Sequence, residues 1–315
     1  MADVGAAGWR KEAANRRRRR GAAVTLWLPR QRPWARRPVL RVPTLGGRQI
    51  WTDCCLRHGY RVQVHAWVHG LYRLLDPKNR QLALGSDRRV RAAFERLALP
   101  GLVGNGPCVV ALHGFARSHA SFAVMAQHLP GHELMALDYA SAWAAPAAHG
   151  RLLAEALATM EQRSRLDIVA FSMGNLVARF CLDQLARQAP QRFAEIGRLV
   201  MIAPPNRGAI PAEALHRLAP DLTPSALRGL TGAEACAAPL PRLPTFVIAG
   251  DAGPRLRGPW RQPNDGLIRV ADTVVDGMAE QVVVPTIHFL MLRDPRVIRL
   301  TADFLARPLP LSAGG

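Results

Sequence analysis

Six short apolar runs downstream of residue 105 constrain the fold more than any other feature of the chain. They alternate with stretches of helical spacing, as at Leu153, Leu157 and Met160. Strands that are apolar on both sides must be buried on both faces, and intervening helices provide that cover. The runs, in chain order, are CVVALHG, ELMALDYA, LDIVAFS, RLVMIAPP, TFVIAGD and QVVVPTIH. The sequence therefore predicts an α/β fold: a mostly parallel, doubly wound sheet over residues 105–308 with helices on both faces.

The segment before this sheet carries a different pattern. Within residues 48–78, YRVQVHAWVHGLYRLLDP alternates apolar and polar residues, which is typical of a half-exposed antiparallel strand pair. DRRVRAAFERLAL then has helical spacing, and a break rich in Gly, Pro and Asn runs from Pro100 to Pro107. We therefore predict a small antiparallel strand pair and a helix over residues 48–104, leading into a main domain over residues 105–310.

Residues 206–244 interrupt the alternation of strands and helices. They carry no strand signal and are rich in Ala, Leu and Pro. An insertion of this kind above a sheet edge is typical of a lid or a substrate-side loop. We predict that role for residues 206–244.

Residues 1–47 form a basic segment. The formal net charge of the chain is +19, and residues 1–41 alone hold twelve Arg and Lys against two acidic residues, with Arg16–Arg20 as an unbroken run. One interpretation is a solvated, disordered extension. The other is a tail that holds RNA, DNA or an anionic membrane through phosphate contacts. We favour the first and expect no more than weak contact with anionic lipid or nucleic acid.

The compartment is predicted from the residues after Arg20 and from the cysteines. GAAVTLWLP has the charged-then-apolar order of an export signal, but it is short, ends at Pro29 and is succeeded by more arginines. No apolar run reaches the roughly 18 residues of a membrane span. The five cysteines are odd in number and form no C-x-x-C pair, which indicates reduced thiols. We therefore expect a cytoplasmic protein without a metal, a cofactor or an obligate protein partner.

The stretch IVAFSMGNLVARF, residues 168–180, runs from strand-like residues into Ser172 and then switches to helical spacing. A serine between a strand and a helix adopts a strained backbone conformation that only small neighbours tolerate. Ala170 and Gly174 are those small neighbours. The turn exposes the hydroxyl at the carboxyl edge of the sheet, where open α/β folds bind ligands. This geometry is that of a nucleophile elbow.

A nucleophilic serine needs a histidine that is itself held by a carboxylate, in the chain order Ser, Asp, His. Only His216 and His288 come after Ser172. His288 ends the run VVVPTIH before a final helix, which suits a base, whereas His216 lies in AEALHRL, where a solvent-facing helix residue is expected. The carboxylate stays open, because Asp251 ends the strand TFVIAGD and Asp265 lies in the turn PNDGLI.

Acyl transfer also needs two backbone donors for an oxyanion. LHGFARS ends the first core strand, so the amide of Phe115 can face the serine, and the amide of Met173 is the second donor. His113 precedes this loop, and we interpret it as a structural residue beneath it.

Four segments together resemble a known family. From about residue 105 onward the chain resembles the α/β-hydrolase superfamily, in particular lipase-like serine esterases of the triacylglycerol lipase and acetyltransferase-and-hydrolase type. HGFARSHASF resembles the H-G oxyanion loop, FSMGNLVAR the elbow written H-S-M-G-G-L-V-A-R, and APPNRGA the P-P-N-x-G-S turn. NDGLIRV and the later HFLM resemble the D-G-x-V and H-x-x-M parts of the family's last segment.

The resemblance implies an α/β-hydrolase fold and a catalytic domain over residues 105–310. It implies that Ser172 is the nucleophile, His288 the base and Asp265 the acid, so it favours Asp265 over Asp251. It also implies oxyanion donors at Phe115 and Met173. The chain departs from the family pattern at four positions. Around the serine, Phe171 replaces the usual His, Ala170 the first Gly and Asn175 the second Gly after Met. Further on, Ala209 replaces the usual Ser.

These features predict a serine hydrolase of carboxylic esters, acting on a small-molecule ester with an apolar acyl group through an acyl-enzyme. Thioesterase, amidase and acyltransferase chemistry would use the same residues. The alternative of another class is a catalytically silent scaffold of the same fold, whose basic tail binds nucleic acid or anionic lipid. That alternative predicts the loss of a triad residue.

Overall fold

The computed structural model describes residues 49–97, 99, 106–129, 131–240 and 243–308. The basic segment 1–47, with its predicted extension or binding role, lies outside the described residues. The division between residues 48–104 and 105–310 stays a prediction.

The six apolar runs form one parallel sheet. Its order is β10-β9-β8-β7-β5-β6, and every neighbouring pair is parallel. The strands are β5 (Pro107–Leu112), β6 (Glu133–Leu137), β7 (Arg165–Phe171), β8 (Ile196–Ile202), β9 (Thr245–Gly250) and β10 (Glu280–Val284). All six strands arise where an apolar run predicts one.

Both faces of this sheet are covered. Every residue of β8 and of β9 is buried. Because successive side chains of a strand point to opposite faces, continuous burial requires cover on both sides. The predicted α/β fold, a doubly wound parallel sheet with helices on both faces, is confirmed.

The helices alternate with the strands. The α-helices are α1 (Asp87–Glu95), α2 (Ala123–Ala126), α3 (Pro146–Thr159), α4 (Met173–Gln188), α5 (Pro190–Ala194), α6 (Ile210–Leu218), α7 (Ser225–Arg228), α8 (Gly232–Cys236) and α9 (Pro295–Ala306). Short 3-10 helices span His119–Phe122, Pro220–Leu222, Gly258–Arg261, Val270–Thr273 and His288–Arg293.

The predicted antiparallel element is present, with four strands where the sequence pattern indicates two. They are β1 (Trp51–Arg57), β2 (Tyr60–His65), β3 (Tyr72–Leu75) and β4 (Gln81–Gly85), in that order across the sheet. A turn at Asp76 forms the third hairpin, between β3 and β4, since its Oδ1 accepts hydrogen bonds from the amides of Lys78 (2.9 Å) and Arg80 (2.8 Å). The buried face packs against α1 through Val90 and Phe94.

A buried carboxylate joins this small sheet to the parallel sheet. Asp53 of β1 donates its amide to the Asp138 carbonyl (2.9 Å), and its Oδ2 accepts from the Asp138 amide (2.8 Å). Arg61 (3.1 Å) and Gln63 (2.8 Å) donate to the same carboxylate. Burial raises the pKa of Asp53, and Arg61 opposes that effect. Since Asp138 comes directly after β6, the link lies at the carboxyl edge of the parallel sheet.

The insertion 206–244 consists of helices and loops, without a strand among its described residues. Arg179 of α4 holds its distal part, donating hydrogen bonds to the carbonyls of Pro239 (2.7 Å), Ala235 (3.2 Å) and Ala238. Arg179 is itself buried, and that burial lowers its pKa to about 10. The role of the insertion as a lid or substrate-side loop stays a prediction.

Two further observations concern the described residues. None of their helices is long and apolar enough to cross a membrane. All five cysteines are free thiols, and four of them are buried.

Candidate active site

Ser172 lies at the sharp turn between β7 and α4. Its φ of 54° and ψ of −127° are outside the regions that ordinary residues favour, and such strain is a recurrent feature of functional sites. The turn is fixed by the bond from the Ser172 amide to the Ile202 carbonyl (2.9 Å) and by the bond from the Asn175 amide to the Ser172 carbonyl (3.0 Å). The sequence-predicted elbow is therefore present as a backbone geometry.

The two small neighbours are needed for different reasons. A Cβ atom added to Gly174 would lie 2.3 Å from the Leu112 carbonyl oxygen, so only glycine lets α4 begin this close to the end of β5. Ala170 is fully buried within β7, where it pairs with Leu112 and Met201 of the adjacent strands. The single methyl group that replaces the family glycine is accommodated in the core.

His288 contacts both Ser172 and Asp265. It begins the 3-10 helix after β10, and its Nε2 lies 3.0 Å from Ser172 Oγ. Its Nδ1 lies 2.6 Å from Asp265 Oδ2. The His288 amide also donates to the Asp265 carbonyl (2.8 Å). The structure thus brings together the three side chains that the sequence places far apart, whereas His216 lies on a helix as predicted, α6, but is half-buried instead of solvent-facing.

Asp265 is positioned by its own turn. Its Oδ1 accepts hydrogen bonds from the amides of Leu267 (3.0 Å) and Ile268 (2.8 Å), which leaves Oδ2 for His288. Asp251, the alternative acid, comes after β9 and donates its amide to Val284 (3.2 Å). The carboxylate in contact with His288 belongs to Asp265.

Asn264 is a positioning residue that the sequence reasoning missed. It is fully buried, and its Nδ2 donates to the carbonyls of Gln262 (2.8 Å), Trp260 (3.1 Å) and Pro254 (3.3 Å). Its Oδ1 accepts from the Gly266 amide (2.8 Å). The sequence Asn-Asp-Gly at residues 264–266 could have indicated this role, because such a combination forms turns stabilised by the Asn side chain.

The loop after β5 passes directly beside the serine. A Cβ atom on Gly114 would lie 3.0 Å from Ser172 Cβ, and Ala116 in the same loop has a left-handed φ of 54°. Within the part of the chain that the structure describes, the amides of Phe115 and Met173 donate no hydrogen bond. Two free donors on the segments that flank the hydroxyl suit an oxyanion hole.

His113 lies under this loop as a neutral, buried ring. Its Nδ1 donates to the Gly114 carbonyl (2.9 Å), and its Nε2 accepts from the Tyr139 amide (3.4 Å). The ring stacks on Tyr139 at a centroid distance of 4.0 Å. Burial lowers the pKa of His113 to about 4. These contacts support the structural interpretation of His113.

Two further contacts brace the same loop and were not predicted. The Gln49 side chain donates to the Arg117 carbonyl and accepts from the Ala142 amide (3.0 Å). His119 Nδ1 lies 2.5 Å from Asp138 Oδ2, and its amide donates to Asp138 Oδ1 (2.9 Å). Burial alone would raise the pKa of Asp138, but the bonds from His119 outweigh it, and the pKa is lowered. No local pattern predicts these contacts, because the partners are distant in sequence.

Two phenylalanine rings flank His288. The buried ring of Phe171 lies 4.9 Å from the His288 ring, and the exposed ring of Phe289 lies 5.9 Å from it. The Arg117 guanidinium packs on both, at 5.1 Å from the Phe171 centroid and 5.7 Å from the Phe289 centroid. The site therefore has an aromatic wall with a cation against it.

Comparison with solved structures identifies the fold. The chain is similar to the mature form of the lipase BlEst2 from Bacillus licheniformis, with a TM-score of 0.50 and 15% identity, covering 64% of this chain and 92% of that one. It is also similar to the propeptide form of BlEst2, with a TM-score of 0.53 and 15% identity, covering 67% of this chain and 52% of that one.

Two comparisons use the sequence alone, one with family models and one with curated proteins. A family model described as a domain of unknown function (DUF7379) matches residues 87–233, which run from α1 through Ser172 into α8. Comparison with curated proteins gives no match. The parallel sheet, the strand-to-helix turn at Ser172 and the similarity to a lipase structure together show that this chain has the lipase-like α/β-hydrolase fold.

Proposed function

We propose that the chain is a serine hydrolase that cleaves carboxylic esters through an acyl-enzyme on Ser172. One observation carries the proposal: Ser172 Oγ, His288 and Asp265 form a continuous hydrogen-bonded line at the carboxyl edge of the sheet. A serine hydroxyl is a weak nucleophile, and a histidine within hydrogen-bond reach activates it. The strained turn at Ser172 supports the same role.

In the acylation step, Ser172 Oγ attacks the ester carbonyl carbon while His288 Nε2 accepts the hydroxyl proton. The resulting imidazolium then gives that proton to the leaving alkoxide, which departs as the alcohol. Asp265 Oδ2 accepts the Nδ1–H of His288, so it fixes the tautomer that leaves Nε2 free and stabilises the imidazolium.

The negative charge that develops on the carbonyl oxygen is stabilised by the amides of Phe115 and Met173. Both lie on segments that flank Ser172, one on the loop after β5 and the other at the start of α4. Donors that are fixed in place before the reaction need no reorganisation during it. The bonds that brace the loop, from Gln49 and His119, preserve that placement.

In the deacylation step, His288 accepts a proton from water, and the hydroxide oxygen attacks the acyl carbon. The proton passes to Ser172 Oγ as the acyl bond breaks, which releases the carboxylic acid and restores the free serine. The exposed ring of Phe289 beside His288 favours an ester with an apolar acyl group.

Labelling with a fluorophosphonate probe, measured by intact mass, tests the proposal. We expect the wild-type chain to gain one adduct and Ser172→Ala to gain none. Ser86→Ala, at an exposed serine before α1, is the matched control and should label like the wild type. A folded wild-type chain that stays unlabelled would contradict the proposal and favour the silent scaffold.

A further inference from the structure

Arg117 brings a positive charge to the wall of the proposed active site. Its guanidinium packs on Phe171 and Phe289, and both rings contact His288. Phe171 directly precedes Ser172, and Arg117 lies two residues beyond Phe115 of the oxyanion loop. The guanidinium and the proposed base therefore contact the same two aromatic rings.

This cation has no counterion among the described residues. No carboxylate of that part of the chain lies within ion-pair distance of Arg117, whereas Arg165 is paired with Asp167 (2.8 Å) and Arg61 with Asp53 (3.1 Å). The nearest charged influence is a second cation, Arg293, which is exposed. Partial burial and Arg293 together lower the pKa of Arg117. A half-buried cation without a counterion is costly, and an anionic ligand would remove that cost.

The backbone of Arg117 is fixed, whereas the N–H groups of its guanidinium donate no hydrogen bond to any residue that the structure describes. The Arg117 amide donates to the Gly114 carbonyl (3.3 Å), and its own carbonyl accepts from Gln49. Stacking on aromatic faces occupies the flat sides of a guanidinium and leaves its donors in the ring plane available. Those donors match a carboxylate or phosphate in a bidentate arrangement.

We propose that Arg117 binds an anionic group of the substrate, so that the preferred substrates are amphiphilic esters carrying a carboxylate or phosphate. This inference rests on the proposed serine hydrolase function and deepens it. The exposed ring of Phe289 contacts the apolar part of the ester, and Arg117 holds its anionic oxygens. Phe289 is 61% exposed, so an anion can reach Arg117 from solvent past its edge.

Two pairs of chromogenic esters test the inference and distinguish the source of the anion. The mono-p-nitrophenyl ester of adipic acid, compared with p-nitrophenyl hexanoate, places the charge on the acyl side. Acetoxy-nitrobenzoate, compared with o-nitrophenyl acetate, places it on the leaving group. In at least one pair we expect the wild type to have the higher kcat/KM for the anionic ester, by a factor that decreases at high ionic strength.

The variants are Arg117→Gln, Arg117→Lys and the control Arg88→Gln, which removes an exposed charge from α1. Arg117→Gln should lower the anionic-to-neutral ratio of kcat/KM by roughly 10- to 100-fold, mainly through KM. Arg117→Lys should restore part of the ratio, since it keeps the charge and loses the bidentate donors. Arg88→Gln should retain the wild-type ratio.

The outcomes separate the two proposals. A wild type that labels at Ser172 but shows no anionic preference in either pair overturns the role of Arg117 and leaves the hydrolase function standing. An unchanged ratio in Arg117→Gln has the same consequence. If Arg117→Gln does not fold, the ionic-strength dependence of the wild type and the ratio of Arg117→Lys decide the question. A wild type that neither labels nor hydrolyses any ester overturns both.

Discussion

Two buried carboxylates at opposite ends of the parallel sheet are held in different ways. Asp265, beyond the carboxyl edge, has both oxygens hydrogen-bonded, one by two backbone amides and the other by His288. Asp167, near the amino end of β7, accepts from Arg165 (2.8 Å) through Oδ2, and its Oδ1 has no hydrogen-bond partner among the described residues. Burial raises the pKa of Asp167 despite the nearby Arg165 and Arg198.

The two carboxylates differ in the side chain that donates to them, which is Arg165 for Asp167 and His288 for Asp265. Arginine stays charged at any physiological pH, so the pairing of Asp167 with Arg165 is permanent and can only stabilise the fold. The imidazole of a histidine can donate from one ring nitrogen while the other accepts a proton, so Asp265 is joined to a group that can accept and release a proton. The same residue type therefore has a structural role at one end of the sheet and a proposed catalytic role at the other.

The largest expected effect concerns the carboxylate next to His288. Asp265→Asn should lower kcat for ester hydrolysis by roughly 10⁴-fold, because a neutral amide neither fixes the His288 tautomer nor stabilises its imidazolium. The control is Asp251→Asn, at the other carboxylate of the same sheet edge. Steady-state kinetics of both variants on one ester measure the effect. An equal loss in the two variants would remove the distinction between Asp265 and Asp251.

The second effect concerns the other end of the sheet and acts on stability. Asp167→Asn should lower the free energy of unfolding by about 3 to 5 kcal/mol, because it leaves the partly buried Arg165 without its anion and removes the electrostatic attraction of Asp167 for the buried Arg198. Asp183→Asn breaks an exposed pair with Arg187 and should cost less than about 1 kcal/mol. Urea unfolding measures both. If the two variants lose the same stability, the network around Asp167 has no special role.

The third and smallest effect concerns two buried histidines that pack on Tyr139 near the carboxyl edge of the sheet. Burial lowers the pKa of His113 and of His149 to about 4, from an ordinary value of 6.5. Both rings stay neutral in the folded state while the unfolded chain takes up protons, so stability decreases as pH falls from 6.5 toward 4. Each ring contributes up to about 3 kcal/mol to this decrease.

The test is His149→Leu, which removes one of the two buried rings. Its free energy of unfolding should depend less steeply on pH than that of the wild type, with the difference largest at the acidic end. Chemical unfolding at a series of pH values measures the slope. Parallel slopes for wild type and variant would show that His149 is not the group that takes up the proton on unfolding.

The strands and the serine turn were predictable because their signals are local. A continuous apolar run such as VVAL or VMI has to be buried on both faces, and a small-Ser-small pattern between strand and helix has few other uses. The two outer strands of the small sheet were missed because β1 is buried at five consecutive positions and β4 is largely exposed, so neither shows clear alternation.

The acid and the supporting residues could not be derived in the same way. Asp251 and Asp265 both come after β9 and both can reach the same edge, so their spacing leaves the choice open. The contact with His288 depends on how Asn264 folds the intervening loop. The Asp53 to Asp138 link joins residues 85 positions apart, and pairings over such a distance leave no periodic trace.

The Gln49 and Asp53 contacts have a consequence for the smallest working unit of this protein. A shortened chain that starts at residue 87, where the family match begins, would retain Ser172, Asp265 and His288. It would lose the hydrogen bond from Gln49 to the Arg117 carbonyl and the pairing of Asp53 with Asp138, which in turn holds His119. The three side chains of the proposed triad would remain, but the loop that carries the proposed oxyanion donor Phe115 would lose its support. The boundary of an expressible, active fragment therefore lies upstream of Gln49.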